Sequence, residues 1–284
     1  MDIFAQRVKV LQDESERIKQ YLRALPAEAW EWPSLCTQWQ VQDVVAHLVG
    51  GAEAYASNVS RGLQKDTSPP AGRPPAGAAN AALSAESIAQ RSIAARKDLG
   101  DRLLTAFEST NNHLNQLLAG LRPEEQQQPC YHPGGIVAAQ NFAALRLKEL
   151  ALHEWDIRAS LEADAHLSAA CFPAILATIS ESIASGSLHW AFWSGPKLSA
   201  PRRYRFVVTG MGPQKPDLVV VGDAMRMEDA KDTQPDATFH CDTEAYILLI
   251  YGRLNLDTAL TSGRLVIEGD HEAAKAFRQW FRGI

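Results

Sequence analysis

The sequence predicts an α+β protein in two parts, a helical bundle over residues 1–195 and a smaller α+β domain over residues 196–284, and three observations carry that expectation. Apolar residues recur at helical spacing through the first two-thirds of the chain. Short β-branched runs bounded by Gly, Asp and Pro occur only after "WSGPKLSAPRR". A chain of 284 residues, 46% of them hydrophobic, is also long enough to bury the core of one large domain or two ordinary ones.

The first helix follows from Phe4, Val8, Leu11, Ile18, Leu22 and Leu25, and ends where Pro26 and "WEWPSLC" begin a connection. A second runs through "VQDVVAHLVGGAEAYASNVSRGL". The stretch "QKDTSPPAGRPPAGAANAAL" reads as a mobile loop, with closure over a site as the alternative. Ser84 can cap a long third helix whose apolar positions run through Ile88, Leu99, Leu103, Leu104, Phe107, Leu114 and Leu118 to "LRPEEQQQP". The fourth starts near Gly135. Four long helices joined at Pro-rich connections make an antiparallel four-helix bundle the economical architecture, and sites in such bundles are built from facing helices. A fifth apolar helix spans about Leu167 to Trp190. Beyond it, "YRFVVTG", "DLVVVGD", "ATFHCD" and "RLVIEGD" read as strands, and "TEAYILLIYGRL", "LDTALTSG" and "HEAAKAFRQWF" as helices.

Composition narrows the function classes. A net charge of -5 without a block of Lys and Arg gives no footprint for nucleic acid or an anionic membrane, so the expected partners are small molecules. The start, "MDIFAQRVKVLQDESERIKQYL", is charged and amphipathic, and no apolar run approaches ~18 residues, so a cytoplasmic protein is expected. Cys36, Cys130, Cys171 and Cys241 are scattered without a CxxC pair and read as reduced thiols. Cys36 is either a buried thiol at a helix entrance or a nucleophile. "GMGPQ" lacks the strand-to-helix context of a phosphate loop.

One stretch of the fourth helix, "LKELALHEWD", sets Glu149 and His153 four residues apart in an apolar run. On a helix that spacing puts both on one face, about 6 Å apart, where they form either a salt bridge or two ligands of one cation. The second helix carries a lone His47 within "VVAHLVG", where a bundle-facing side chain would be apolar. It is either a hydrogen-bonded core histidine or the third ligand.

These segments resemble a known family. "CTQWQVQDVVAHL" is similar to the C-x-G-W-x(7)-H segment, and "RLKELALHEWD" to the R-x-x-E-x-x-x-H-x-x-D segment, of the mycothiol-dependent maleylpyruvate isomerases, which belong to the DinB-like metal-binding bundles. "PDATFHCDTEAYILLIYGRLNLDTAL" and "GRLVIEGDHEAAKAF" resemble the sterol-carrier-like domain attached to that bundle. The resemblance implies metal ligands at His47, Glu149 and His153, with Trp39, Arg146 and Asp156 as framework positions around them. It also implies an arginine directed at the metal from the second domain, best matched by Arg253 in "YGRL", whose alternative is a plain surface arginine. Asp43, one turn before His47, is read as supporting its ring or the helix start rather than as a ligand. Gln38 departs from the pattern, standing where the family has Gly.

Two imidazoles and one carboxylate suit Zn²⁺ with a fourth position left open, and suit Fe²⁺ or Ni²⁺ as well. The resemblance implies that the position takes the thiol of mycothiol, or another low-molecular-weight thiol, as a thiolate that adds to an electrophilic substrate. An isomerase eliminates the thiol after rotation, and an S-transferase releases the adduct. Two rivals stand beside this reading: a metal-dependent hydrolase or thiol-independent isomerase on the same ligands, and a non-catalytic lipid or small-molecule carrier with a structural metal.

Overall fold

The helical spacing of Phe4, Val8, Leu11, Ile18 and Leu22 becomes the buried stripe of α1 (Ile3–Ala24). The computed structural model describes residues 2–78, 85–184, 197–210, 216–222, 224–230 and 233–283. The chain divides into two compact units, the first running to Thr178 and the second starting at Ile179. The expected division at residues 195 and 196 lies outside the described residues, as do Ser84 and the end of the expected fifth helix.

In the first unit, α1, α2 (Val41–Leu63), α4 (Leu103–Ala119) and α6 (Asn141–Leu161) form a four-helix bundle. Each of α1 and α2 packs against both α4 and α6, while α3 (Ala85–Leu99) lies on α2. Val41, Val44, Val45, Leu48 and Val49 of α2, Phe107, Leu114 and Leu118 of α4, and Phe142, Leu147 and Leu150 of α6 are all buried, and α2 packs against both α4 and α6. The long third helix expected from the sequence is in fact α3 and α4, separated by a short 3-10 turn at Gly100–Arg102. Gly100 takes a φ of +50° there, which an α-helix cannot accommodate. The short helix α5 (Pro123–Gln126) follows, and α7 (Phe172–Ala184) runs through the Thr178–Ile179 boundary between the two units.

The fourth helix also starts later than expected. Gly135 opens β2 (Gly135–Ala138), which pairs antiparallel with β1 (Pro129–His132), so a hairpin precedes α6. The Pro133 and Gly134 turn between them is closed by Gly134 N–H donating to His132 Nδ1 at 3.1 Å. The hairpin lies against α2 at Gly62, where a Cβ would come 2.3 Å from Cys130 Sγ and 2.7 Å from the Pro129 carbonyl oxygen.

The second unit holds a five-stranded sheet of order β5-β4-β3-β6-β7, with β3 (Arg202–Thr209) parallel to β6 (Ala237–Asp242) and the other pairs antiparallel. β4 (Pro216–Val221) and β7 (Leu265–Gly269) match the β-branched runs in the sequence. β5 (Ala224–Asp229) was not expected, because "AMRMED" has no β-branched residue and gains its strand form from pairing with β4. Helices α8 (Thr243–Ile250) and α10 (His271–Ala276) lie against the sheet, and α9 (Leu256–Thr261) packs by β7. Tyr204, Phe206, Phe239 and Phe277 pack ring on ring beneath them. Among the described residues, no helix is long and apolar enough to cross a membrane.

The chain enters α2 through a turn in which Trp39 N–H donates to the Cys36 carbonyl at 3.1 Å. Gln38 has a φ of +71° in this turn, so the position that departs from the family pattern is one where glycine is favoured. Relief of that strain outweighs the extra freedom glycine has when unfolded, so Gln38→Gly should raise stability by about 0.5–1 kcal/mol in urea unfolding. Gly62→Ala should act in the opposite sense to the usual helix substitution. The missing space against Cys130 should lower stability by about 1–3 kcal/mol in the same measurement.

Candidate metal centre

α6 is enclosed along most of its length: from Phe142 to Ile157 only Leu145, Glu149 and Trp155 are not buried. Its polar side chains Arg146, Lys148, His153, Glu154 and Asp156 must therefore find partners inside the protein. Glu154 meets Arg17 of α1, clamping the two helices together.

On the side facing α2, His47, Glu149 and His153 come together. Glu149 Oε2 lies 3.5 Å from His47 Nε2 and 3.6 Å from His153 Nε2, and one donor atom from each residue falls within 4.8 Å of the others. The imidazole centroids are 4.7 Å apart and the rings meet edge to face. Separations of 3.5 and 3.6 Å exceed an ordinary hydrogen bond. They match the edge of about 3.4 Å between ligand atoms set tetrahedrally at about 2.1 Å from one ion. The donor set and its spacing thus fit a divalent cation. Exposure is uneven, at 4% for the His153 side chain against 23% and 22% for His47 and Glu149, which gives the cluster one open edge. Trp39 covers another side, with its ring 5.1 Å from His47 and 6.0 Å from His153.

The framework positions hold this arrangement. His153 Nδ1–H donates to Asp156 Oδ2 at 3.0 Å, which leaves Nε2 as the nitrogen facing Glu149. The Cys36 thiol donates to the same oxygen at 3.1 Å, so Cys36 is a buried hydrogen-bond donor at the helix entrance. Cys36, His153 and Asp156 also gather three donor atoms, yet all three residues are buried and bonded to one another, with no open edge. Arg146 is fully buried and donates through Nη2 to the Leu48 carbonyl at 2.8 Å and to Asn111 Oδ1 at 2.9 Å, tying α6 to α2 and α4. Asp43 is engaged at the start of α2, accepting from Gln40 N–H at 2.9 Å and from Arg96 Nε at 3.1 Å. Arg253 belongs to the second unit, in the turn after α8, where it donates to the Tyr251 carbonyl at 3.2 Å.

Lys148 was not singled out in the sequence. Its side chain is buried and its ammonium lies 3.0 Å from Glu149 Oε1. Burial alone would raise the Glu149 carboxyl, but Lys148 and the two histidines outweigh it and hold the group well below the usual carboxylate range. Burial would likewise lower His153, but the hydrogen bond to Asp156 and the neighbouring Cys36 and Glu149 side chains prevail and hold it well above the ordinary histidine value. His47 is lowered by burial, and Arg146 is pushed down to about 10 by the same cause.

A family model described as the mycothiol maleylpyruvate isomerase N-terminal domain matches residues 11–158, and one described as the SCP-2 sterol transfer family matches residues 193–282. Among solved structures, that of the mycothiol-dependent maleylpyruvate isomerase is similar, with a TM-score of 0.62, 12% identity, and coverage of 94% of this chain and 93% of that one. A histidine-to-alanine mutant of that enzyme aligns with a TM-score of 0.61, the same identity of 12% and the same coverage of 94% and 93%. At this identity the structural likeness speaks for the fold. No curated protein matches the sequence. With its model spanning residues 11–158 of 284, the bundle and the residues gathered in it place the chain in the mycothiol maleylpyruvate isomerase N-terminal domain family, to which it belongs.

Proposed function

We propose that the protein is a metal-dependent enzyme that uses a low-molecular-weight thiol, mycothiol by family, to isomerise or S-transfer a small electrophilic substrate. The observation that carries this reading is the convergence of His47, Glu149 and His153, with Glu149 Oε2 3.5 and 3.6 Å from the two imidazole Nε2 atoms and the His47 and Glu149 side chains partly exposed. A divalent cation held by these three, zinc in the first place and Fe²⁺ or Ni²⁺ on the same donors, supplies the Lewis acidity that keeps a thiol ionised near neutral pH.

The chain's own residues prepare for that chemistry. Asp156 fixes the tautomer and orientation of His153. Glu149 supplies one negative charge at Oε2. Lys148 and Arg146 carry positive charge while Glu149 and Asp156 carry negative charge, so these four cancel. With a divalent ion held by His47, Glu149 and His153 the centre would be net positive and would favour an anionic fourth ligand such as a thiolate. Trp39 shields the imidazoles from water on one side. Arg253 is the proposed cation for the carboxylate of an anionic substrate. Four buried free cysteines accord with a cytoplasmic setting.

The match of residues 193–282 to the SCP-2 sterol transfer family favours a carrier as the second reading. Against it, Tyr204, Phe206, Phe239 and Phe277 fill the space under the sheet, Phe239 stacked with Tyr204 and Phe206 and edge to face with Phe277. Copurified lipid in stoichiometric amount, with metal removal affecting stability alone, would support the carrier instead.

Metal binding should displace the proton that His153 holds. Titration calorimetry in buffers of different ionisation enthalpy should show about one proton released per ion. Affinity should fall as pH is lowered through the raised His153 value, because the protonated ring cannot ligate. Asp156→Asn should weaken metal affinity by roughly 10–100-fold, and His153→Ala by more. Arg253→Ala should retain the metal and the thiol while raising KM for an anionic electrophile such as a cis-enedione acid by about 10–100-fold, the value of a charged hydrogen bond of ~1.5–3 kcal/mol. Equal turnover without any thiol would support the hydrolase or thiol-independent isomerase.

A further inference from the structure

The two oxygens of Glu149 have different neighbours. Oε2 faces His47 Nε2 and His153 Nε2 at 3.5 and 3.6 Å, whereas Oε1 is 3.0 Å from the ammonium of Lys148. Adjacent residues on a helix do not ordinarily face one another, so this contact is specific to the site. The Lys148 side chain is 6% exposed, and an ammonium withdrawn from water needs an anionic partner.

We propose that Lys148 is a positioning residue that makes Glu149 a one-oxygen ligand and thereby keeps a coordination position of the metal open for the thiol. A carboxylate can bind an ion through one oxygen or both. With Oε1 held by the ammonium, the second mode requires breaking a short charge-assisted contact inside the protein. The carboxylate shared with Lys148 is also a weaker electron donor, so the ion keeps more of its charge for the thiolate. This inference rests on the metal-centre reading above, and the test separates the two.

The full chain is loaded with Co²⁺ in place of the native ion. Its visible bands are intense in a four-coordinate site and weaken when a further ligand is added. The parent should show the four-coordinate spectrum and, on titration with 2-mercaptoethanol, a sulfur-to-cobalt charge-transfer band. Lys148→Met should still bind Co²⁺ but show the weaker bands of higher coordination, and should need about tenfold or more thiol for the same charge-transfer signal. Lys148→Arg, which restores a cationic donor, should recover the parent spectrum and titration. Should Lys148→Met fail to fold by circular dichroism, Lys148→Gln takes its place, and its spectrum should fall between those of the parent and a five-coordinate site. Spectra and thiol titrations indistinguishable from the parent in the Met or Gln variant would overturn the proposal. So would a folded Lys148→Met that binds no Co²⁺, since Lys148 would then be needed to form the site rather than to open it. A parent that takes up no Co²⁺ would overturn the metal-centre reading itself.

Discussion

The burial of α6 is the constraint on which the rest of the site depends. A helix enclosed by α1, α2 and the β1–β2 hairpin has no water for its charged side chains, yet this one carries Arg146, Lys148, His153, Glu154 and Asp156. Each must be answered by a neighbour, and each answer fixes a geometry. Arg17 answers Glu154, the Leu48 carbonyl and Asn111 answer Arg146, and Lys148 answers one oxygen of Glu149. Glu149 Oε2 and one nitrogen from each of two histidines then gather within 4.8 Å of one another at the α2 face of the helix.

That set depends on α2 arriving at the right depth. Its N-terminal capping box, made by Gln40 and Asp43, fixes where the helix starts, and the preceding turn delivers Trp39 over both imidazoles and Cys36 onto Asp156. The strained φ at Gln38 belongs to this entrance, so a local backbone penalty is accepted where the turn positions Cys36 and Trp39 at one centre.

Much of this could be read in the sequence, because the strongest signals are periodic. The stripe on α1 and the whole of α2 follow from apolar spacing, and the Glu149 and His153 pair follows from the helical repeat. His47 stood out as a polar ring on an apolar face. What escaped notice depends on tertiary context. Lys148 looks like an ordinary helix lysine until the helix around it is seen to be enclosed, and Asn111 carries no signal at all on its own helix. The hairpin from Pro129 to Ala138 is too short to show alternation, and β5 is made by its pairing with β4 rather than by its own residues. The break at Gly100 leaves no periodic signal, because the apolar spacing runs on across it.

The direct test of the metal centre is a crystal structure of the zinc-loaded protein with anomalous data collected at the zinc edge. If His47, Glu149 and His153 form the site, a single strong peak lies about 2.0–2.2 Å from His47 Nε2, Glu149 Oε2 and His153 Nε2, with a fourth position taken by water or an added thiol. A peak among Cys36, Asp156 and His153 Nδ1 instead, or no ordered zinc within reach of His47, would contradict it.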